Sequence, residues 1–130
     1  MAGFTNFSED LVLDFLFTAS TATRPTAWYV ALYTVAPGEA GGGTECSGTS
    51  YVRQSASFTV SGTAPSQAAN SAAIEFPTAG GSWGTIVAAG VFDASTSGNL
   101  LAYADLTTSK TIDTGDVLRF NTGTLIVTLD

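Results

Sequence analysis

The sequence has no histidine, one cysteine and only four cationic side chains, Arg24, Arg53, Lys110 and Arg119, in 130 residues. Without imidazole there is no Ser-His-Asp or Cys-His machinery and no histidine metal ligand. Cys46 alone cannot close an intrachain disulfide or build a cysteine-rich zinc site. Four cations against 11 carboxylates, a net charge of −7, argue against nucleic-acid binding through phosphate neutralisation, which needs clustered Lys and Arg. No stretch approaches the roughly 18 consecutive apolar residues of a membrane span, so no membrane partner is expected. The first residues lack the basic start and apolar core of a secretory signal, and folding in a cytoplasm without export is the simplest expectation. Charge is thin throughout, at 12% of residues, about half the usual ~25%.

What the chain has instead is 45% apolar residues and 14 glycines, with Thr and Ser making up roughly a quarter of it. The length fits a single domain, residues 1–130, able to bury roughly two-thirds of its unfolded surface. One segment reads as helical. Ser8 can cap it, Glu9 and Asp10 suit the positive end of the helix dipole, and Leu11, Val12, Phe15 and Leu16 recur at a spacing of four. The Thr- and Ser-rich run 18–23 ends it. Residues 1–23 thus form an N-terminal helical arm, with a helix of about ten residues that is too short to stand alone.

From residue 24 onward the pattern is strands and turns. Strands are predicted at 28–34, 51–60, 72–76, 83–92, 100–106, 117–121 and 125–129, with turns at 61–66, 93–99 and 109–116 and a loop at 38–50 around Gly41-Gly42-Gly43. The last strand is expected to join the core. Short strands at roughly 8–12-residue spacing predict an all-β fold: an antiparallel β-sandwich, jelly-roll-like, with one short N-terminal α-helix.

Candidate chemistry is sparse. Asp113 and Asp116 bracket a Gly-containing turn and could offer oxygens to Ca²⁺, but without a third carboxylate nearby a solvated turn is the better reading. Glu39 and Glu45 flank the glycine run, where they would repel a phosphate, so a surface loop is favoured. Glu45 beside Cys46 raises rather than lowers a thiol pKa, which disfavours a nucleophile. Asn6-Phe7-Ser8 matches a glycosylation sequon with nothing else to support it. Trp28, Tyr29, Tyr33, Tyr51 and Trp83 could stack on a sugar, but their places inside strands favour core or interface packing. Each of the four cations is expected to pair with a carboxylate. No catalytic residue, cofactor site or metal site is assigned, and no carboxylate has an evident reason for a raised pKa.

Several segments carry a resemblance. They are Pro25-Thr26-Ala27-Trp28-Tyr29-Val30-Ala31-Leu32-Tyr33-Thr34, Gly41-Gly42-Gly43-Thr44-Glu45 with Ser50-Tyr51-Val52-Arg53, Ser82-Trp83-Gly84-Thr85-Ile86 with Gly90-Val91-Phe92-Asp93-Ala94, and Thr108-Ser109-Lys110-Thr111 with Gly115-Asp116. In this order and spacing, across nearly the whole chain, the sequence resembles a family of small virion structural proteins of tailed bacteriophages, commonly labelled tail fibre proteins. The resemblance implies a non-enzymatic virion component, assembled in the host cytoplasm. A single short domain without a repeat further suggests a capsid decoration or cement protein on the outer head surface, reinforcing the capsid lattice. The alternative is a tail fibre or tail-associated protein that contacts the host surface. The partners expected are copies of itself, as a dimer or trimer, and the major capsid protein or other virion proteins. Phe4, Phe7, Leu11, Phe15, Trp28 and Trp83 are the interface candidates, and Trp28, Trp83, Phe92 and Phe120 the core or interface anchors.

Overall fold

The computed structural model describes residues 3–62 and 65–129. The elements are β1 (Gly3–Phe4), α1 (Asn6–Phe17), β2 (Trp28–Val35), β3 (Thr44–Glu45), β4 (Gln54–Ala56), β5 (Phe58–Ser61), β6 (Ser66–Asn70), β7 (Ile74–Glu75), β8 (Gly84–Phe92), β9 (Leu100–Ile112), β10 (Arg119–Phe120) and β11 (Ile126–Leu129). The protein is all-β and antiparallel, a sandwich with one short N-terminal helix, as the sequence pattern predicts. The larger sheet runs β1-β9-β8-β2-β3, with β4 also pairing with β2. A three-stranded sheet, β11-β6-β5, and a two-stranded ribbon, β10-β7, complete the fold.

Alternation along β2 explains why this strand is central. Val30 and Leu32 point into the main core, with Phe76, Trp83, Ile86 and Val91. Ala31 and Tyr33 point the other way, into a smaller cluster with Ala88, Phe92 and Leu100. Both faces of β2 are therefore dry, consistent with its nearly continuous apolar text. On the second face Gly90 makes room: a Cβ there would lie 2.7 Å from Leu100 Cδ1 and 3.0 Å from Tyr33 Cε2.

The structure moves several predicted boundaries. Thr5, not Ser8, is the N-cap of α1, and its side chain accepts the Ser8 N–H. Ser8 lies one turn further in and is buried. The predicted strand 51–60 divides into β4 and β5 around Ser57. The predicted loop 38–50 contributes β3, and Cys46 N–H donates to Leu32 O at 2.8 Å. The turn predicted at 61–66 lies partly outside the described residues. β9 runs straight through 107–112 and the turn starts only at Asp113. Its pairing with β8 slips on the way: Ile86 to Ala88 spans two residues while Lys110 to Asp105 spans five, a bulge that bends the longer strand. The last strand is less buried than expected. Leu125 joins the core, but β11 itself is largely exposed.

Of the strands longer than two residues, the sequence pattern missed β6. Ser66–Asn70 reads Ser-Gln-Ala-Ala-Asn, with no β-branched or aromatic residue. It is held by pairing on both sides, with β5 and β11, and by Asn70. This side chain is 1% exposed. It donates to Ala72 O and Asn121 O, at 2.8 and 3.0 Å, and accepts from Leu125 N–H at 2.9 Å. Its full satisfaction is what makes a buried amide tolerable there.

Candidate functional site

The arm is fixed at its base and free at its end. Phe4 pairs with Ala102 of β9. Thr5 N–H donates to Leu101 O at 3.1 Å, and its hydroxyl bonds Leu100 O. Ser8 Oγ donates to Leu101 O at 2.7 Å, and Asn6 N–H reaches Glu39 O at 2.9 Å. Leu11 and Val12 are half-buried on the same helix face. That face continues to Phe15, four residues beyond Leu11, but the sheet does not. Phe15 is 74% exposed, with Leu16 at 61% and Phe17 at 77%. The helix overhangs its own domain. At its far end Thr18 closes the last turn by donating through its hydroxyl to Asp14 O at 2.9 Å.

Beside the docked half of α1 lies an apolar groove of about 430 Å³ at the mouth between the two sheets. Phe4, Val12, Trp28, Phe58, Val60 and Val127 line it, and Arg24 sits in its wall. Val60 is 73% exposed. Thus Phe4, Leu11 and Trp28 of the interface candidates gather at this groove. Phe7 lies apart, lining a separate cleft with Tyr33 and Phe92, and Phe15 projects beyond. Trp83 belongs to none of this: it is buried in the main core, edge-on to Tyr51 at 5.5 Å, with its indole N–H donating to Thr49 O at 2.8 Å. Phe92 is buried in the second cluster, and Phe120 packs edge-on to Phe76 at the rim of the core.

The aromatic residues do not assemble into one stacking platform. Tyr51 and Trp83 lie on the main-core side of the large sheet, Tyr33 on the other. Burial, with the Glu45 charge nearby, pushes the Tyr33 phenol up to about 12. Asp113 and Asp116 close a turn on themselves: Asp113 N–H donates to Asp116 Oδ2 at 2.9 Å, and Asp116 N–H to Asp113 O at 3.0 Å. Among the described residues no three Cys, Asp or Glu side chains converge as a metal-binding set. Burial raises the Cys46 thiol above its ordinary value.

The densest polar cluster joins loop to sheet. Arg53 and Glu45 form an ion pair, and Tyr51 Oη donates to Glu45 Oε2 at 2.7 Å while accepting Leu32 N–H at 3.0 Å. Burial pushes the Glu45 carboxyl up, but the hydrogen bonds from Arg53 and Tyr51 outweigh it and hold the group below the ordinary value. Neither partner carries more than a generic charge signal in the local sequence, because residues 45 and 53 meet only when β3 and the chain before β4 lie along β2. Of the other cations, Arg119 reaches Glu75 at 3.4 Å in an exposed cross-strand pair. Arg24 and Lys110 have no ion-pair partner among the described residues, so the expected pairing holds for two cations of four.

No curated protein matches this chain. A family model does, over residues 3–128, and its description is podophage GP4 fiber I protein gp80. The match takes in the arm, both sheets and the ribbon, and it supports the resemblance carried by the motif segments. The chain belongs to this phage fibre protein family.

Proposed function

We propose that the protein is a non-enzymatic subunit of a phage fibre, built into the virion through contacts of its N-terminal arm with copies of itself or with other virion proteins. The observation that carries this reading is the extent of the family match, residues 3–128, which covers the whole sandwich and its arm together. The arm supplies the means. Its helix presents Leu13, Phe15, Leu16 and Phe17 to solvent, an apolar display that folding of one copy does not use. Fibre assembly in the host cytoplasm would cover it.

A second reading is decoration of the outer head surface, beside the major capsid protein. The compact single domain without a repeat favours it, since a fibre gains length from repeats or stacked copies. There the added interface would reinforce the lattice against packaged DNA. Antibody-gold labelling of intact virions separates the two. Gold at the tail or its fibres is the expected result. Gold spread over the head would replace the fibre reading with decoration, and unlabelled, protein-free virions would end both.

A further inference from the structure

We propose that the last turn of α1 in one copy seats in the apolar groove beside α1 of a second copy. This deepens the self-assembly part of the fibre reading and does not depend on where in the virion the protein sits. Both halves of the contact are present on this chain. The overhang, Phe15 and Leu16, continues the face on which Leu11 and Val12 already pack, yet none of the described residues covers it. The groove, about 430 Å³, is lined by Phe4, Val12, Trp28, Phe58, Val60 and Val127, and none of the described residues fills it.

Charge agrees with shape. Arg24 stands in the groove wall without an ion-pair partner among the described residues, and the exposed Asp14 immediately precedes the overhang. Seating Phe15 in a neighbour's groove brings Asp14 of one copy toward Arg24 of the next. The area is adequate as well. On the docking face Phe15 and Leu16, exposed at 74% and 61%, together offer roughly 250 Å² of apolar surface. Counted on both sides and exchanged reciprocally about a two-fold axis, this gives roughly 1,000 Å², the lower bound of a specific interface.

The overhang is at the C-terminal end of α1 and the groove beside its N-terminal half. Antiparallel helices around a two-fold axis therefore fill both grooves at once, and a closed ring fills them in turn. The two-fold arrangement places both contacts in one interface.

Sedimentation of the full chain tests it, with circular dichroism as a folding control. The substituted residues are exposed, so the sandwich should stay folded. The wild type is expected to self-associate. Phe15→Ser with Leu16→Ser is expected to weaken association at least about tenfold, the loss typical of removing anchor residues. Arg24→Glu is expected to weaken it too, and Asp14→Arg in the same chain to restore it. A wild type still monomeric at about 100 µM would overturn the proposal. So would an oligomer that the double substitution leaves unchanged. A monomeric result leaves the gold labelling of virions to judge the fibre reading independently.

Discussion

Arg53 grips Glu45 at two points, Nε to Oε2 at 2.9 Å and Nη2 to Oε1 at 2.8 Å. The same guanidinium donates through Nη1 to Ala94 O and Ser97 O, at 3.0 and 2.8 Å, and lies 3.6 Å from the centre of the Phe92 ring. One side chain thus joins the loop before β4, β3 and the β8–β9 turn. Its side chain is 8% exposed, so the pair is largely withdrawn from solvent, unlike Arg119 and Glu75, at 52% and 59%. A planar fork suits this task and a lysine does not.

Removing Arg53 would strand the Glu45 carboxylate in a half-buried place. Arg53→Ala is expected to cost roughly 2–3 kcal/mol, less than the ~3–5 of a fully buried pair because Glu45 stays 28% exposed. Arg119→Ala should cost under about 1 kcal/mol, as exposed pairs do. Urea denaturation of the two variants side by side measures the difference.

Glu45 also gives the fold an acid sensitivity. The folded carboxyl holds its proton less tightly than the unfolded one, whose ordinary value is 4.5. The stabilisation is therefore complete above that value and is lost as pH falls through the lower folded value. Glu45→Gln is expected to lower stability at neutral pH and to flatten its decline below pH ~4.5. Denaturation midpoints across pH 3 to 7 compare the slopes; parallel curves for both proteins would count against this role.

Asn70 is expected to tolerate no apolar replacement. Asn70→Leu leaves Leu125 N–H and two backbone carbonyls without their side-chain partner, a loss of roughly 2–4 kcal/mol. Hydrogen exchange would show the Leu125 amide losing protection before the amides of β8.

Gly48 lies against the five-membered ring of Trp83. A Cβ at position 48 would stand 2.2 Å from Trp83 Cδ1. Gly48→Ala is expected to destabilise by about 1–3 kcal/mol through overpacking and to shift the tryptophan fluorescence, since Trp83 must leave Thr49 O to relieve the clash.

Much of the fold was legible in local text. The nearly continuous apolar and aromatic runs of 28–34 and 83–92 marked β2 and β8, because a strand buried on both faces must be apolar along its length. The turn at 93–99 was legible from its Asp, Ser, Gly and Asn residues, and Asp93 does close it by accepting from the Asn99 backbone and side chain at 2.7 and 2.9 Å. β6 was not legible, since pairing on both edges and one buried amide make it a strand rather than any propensity of its residues. The helix start was misplaced by three residues because Thr5 and Ser8 are both good caps, and the choice fell to Thr5 through its contacts with Leu100 and Leu101 of β9.

The candidate surface divides in the same way. By itself the sequence determined that an apolar helix precedes an all-β domain, and that no histidine is on hand for chemistry, because those follow from composition and periodicity alone. Only the tertiary structure decided that the docked face ends at Val12 while Phe15 hangs free, that Trp83 is core rather than surface, and that Phe4, Trp28, Val60 and Val127 share one groove. Those facts depend on where a helix leaves the edge of a sheet and how two sheets meet. Both are set by contacts between residues up to about a hundred positions apart, which no local pattern records.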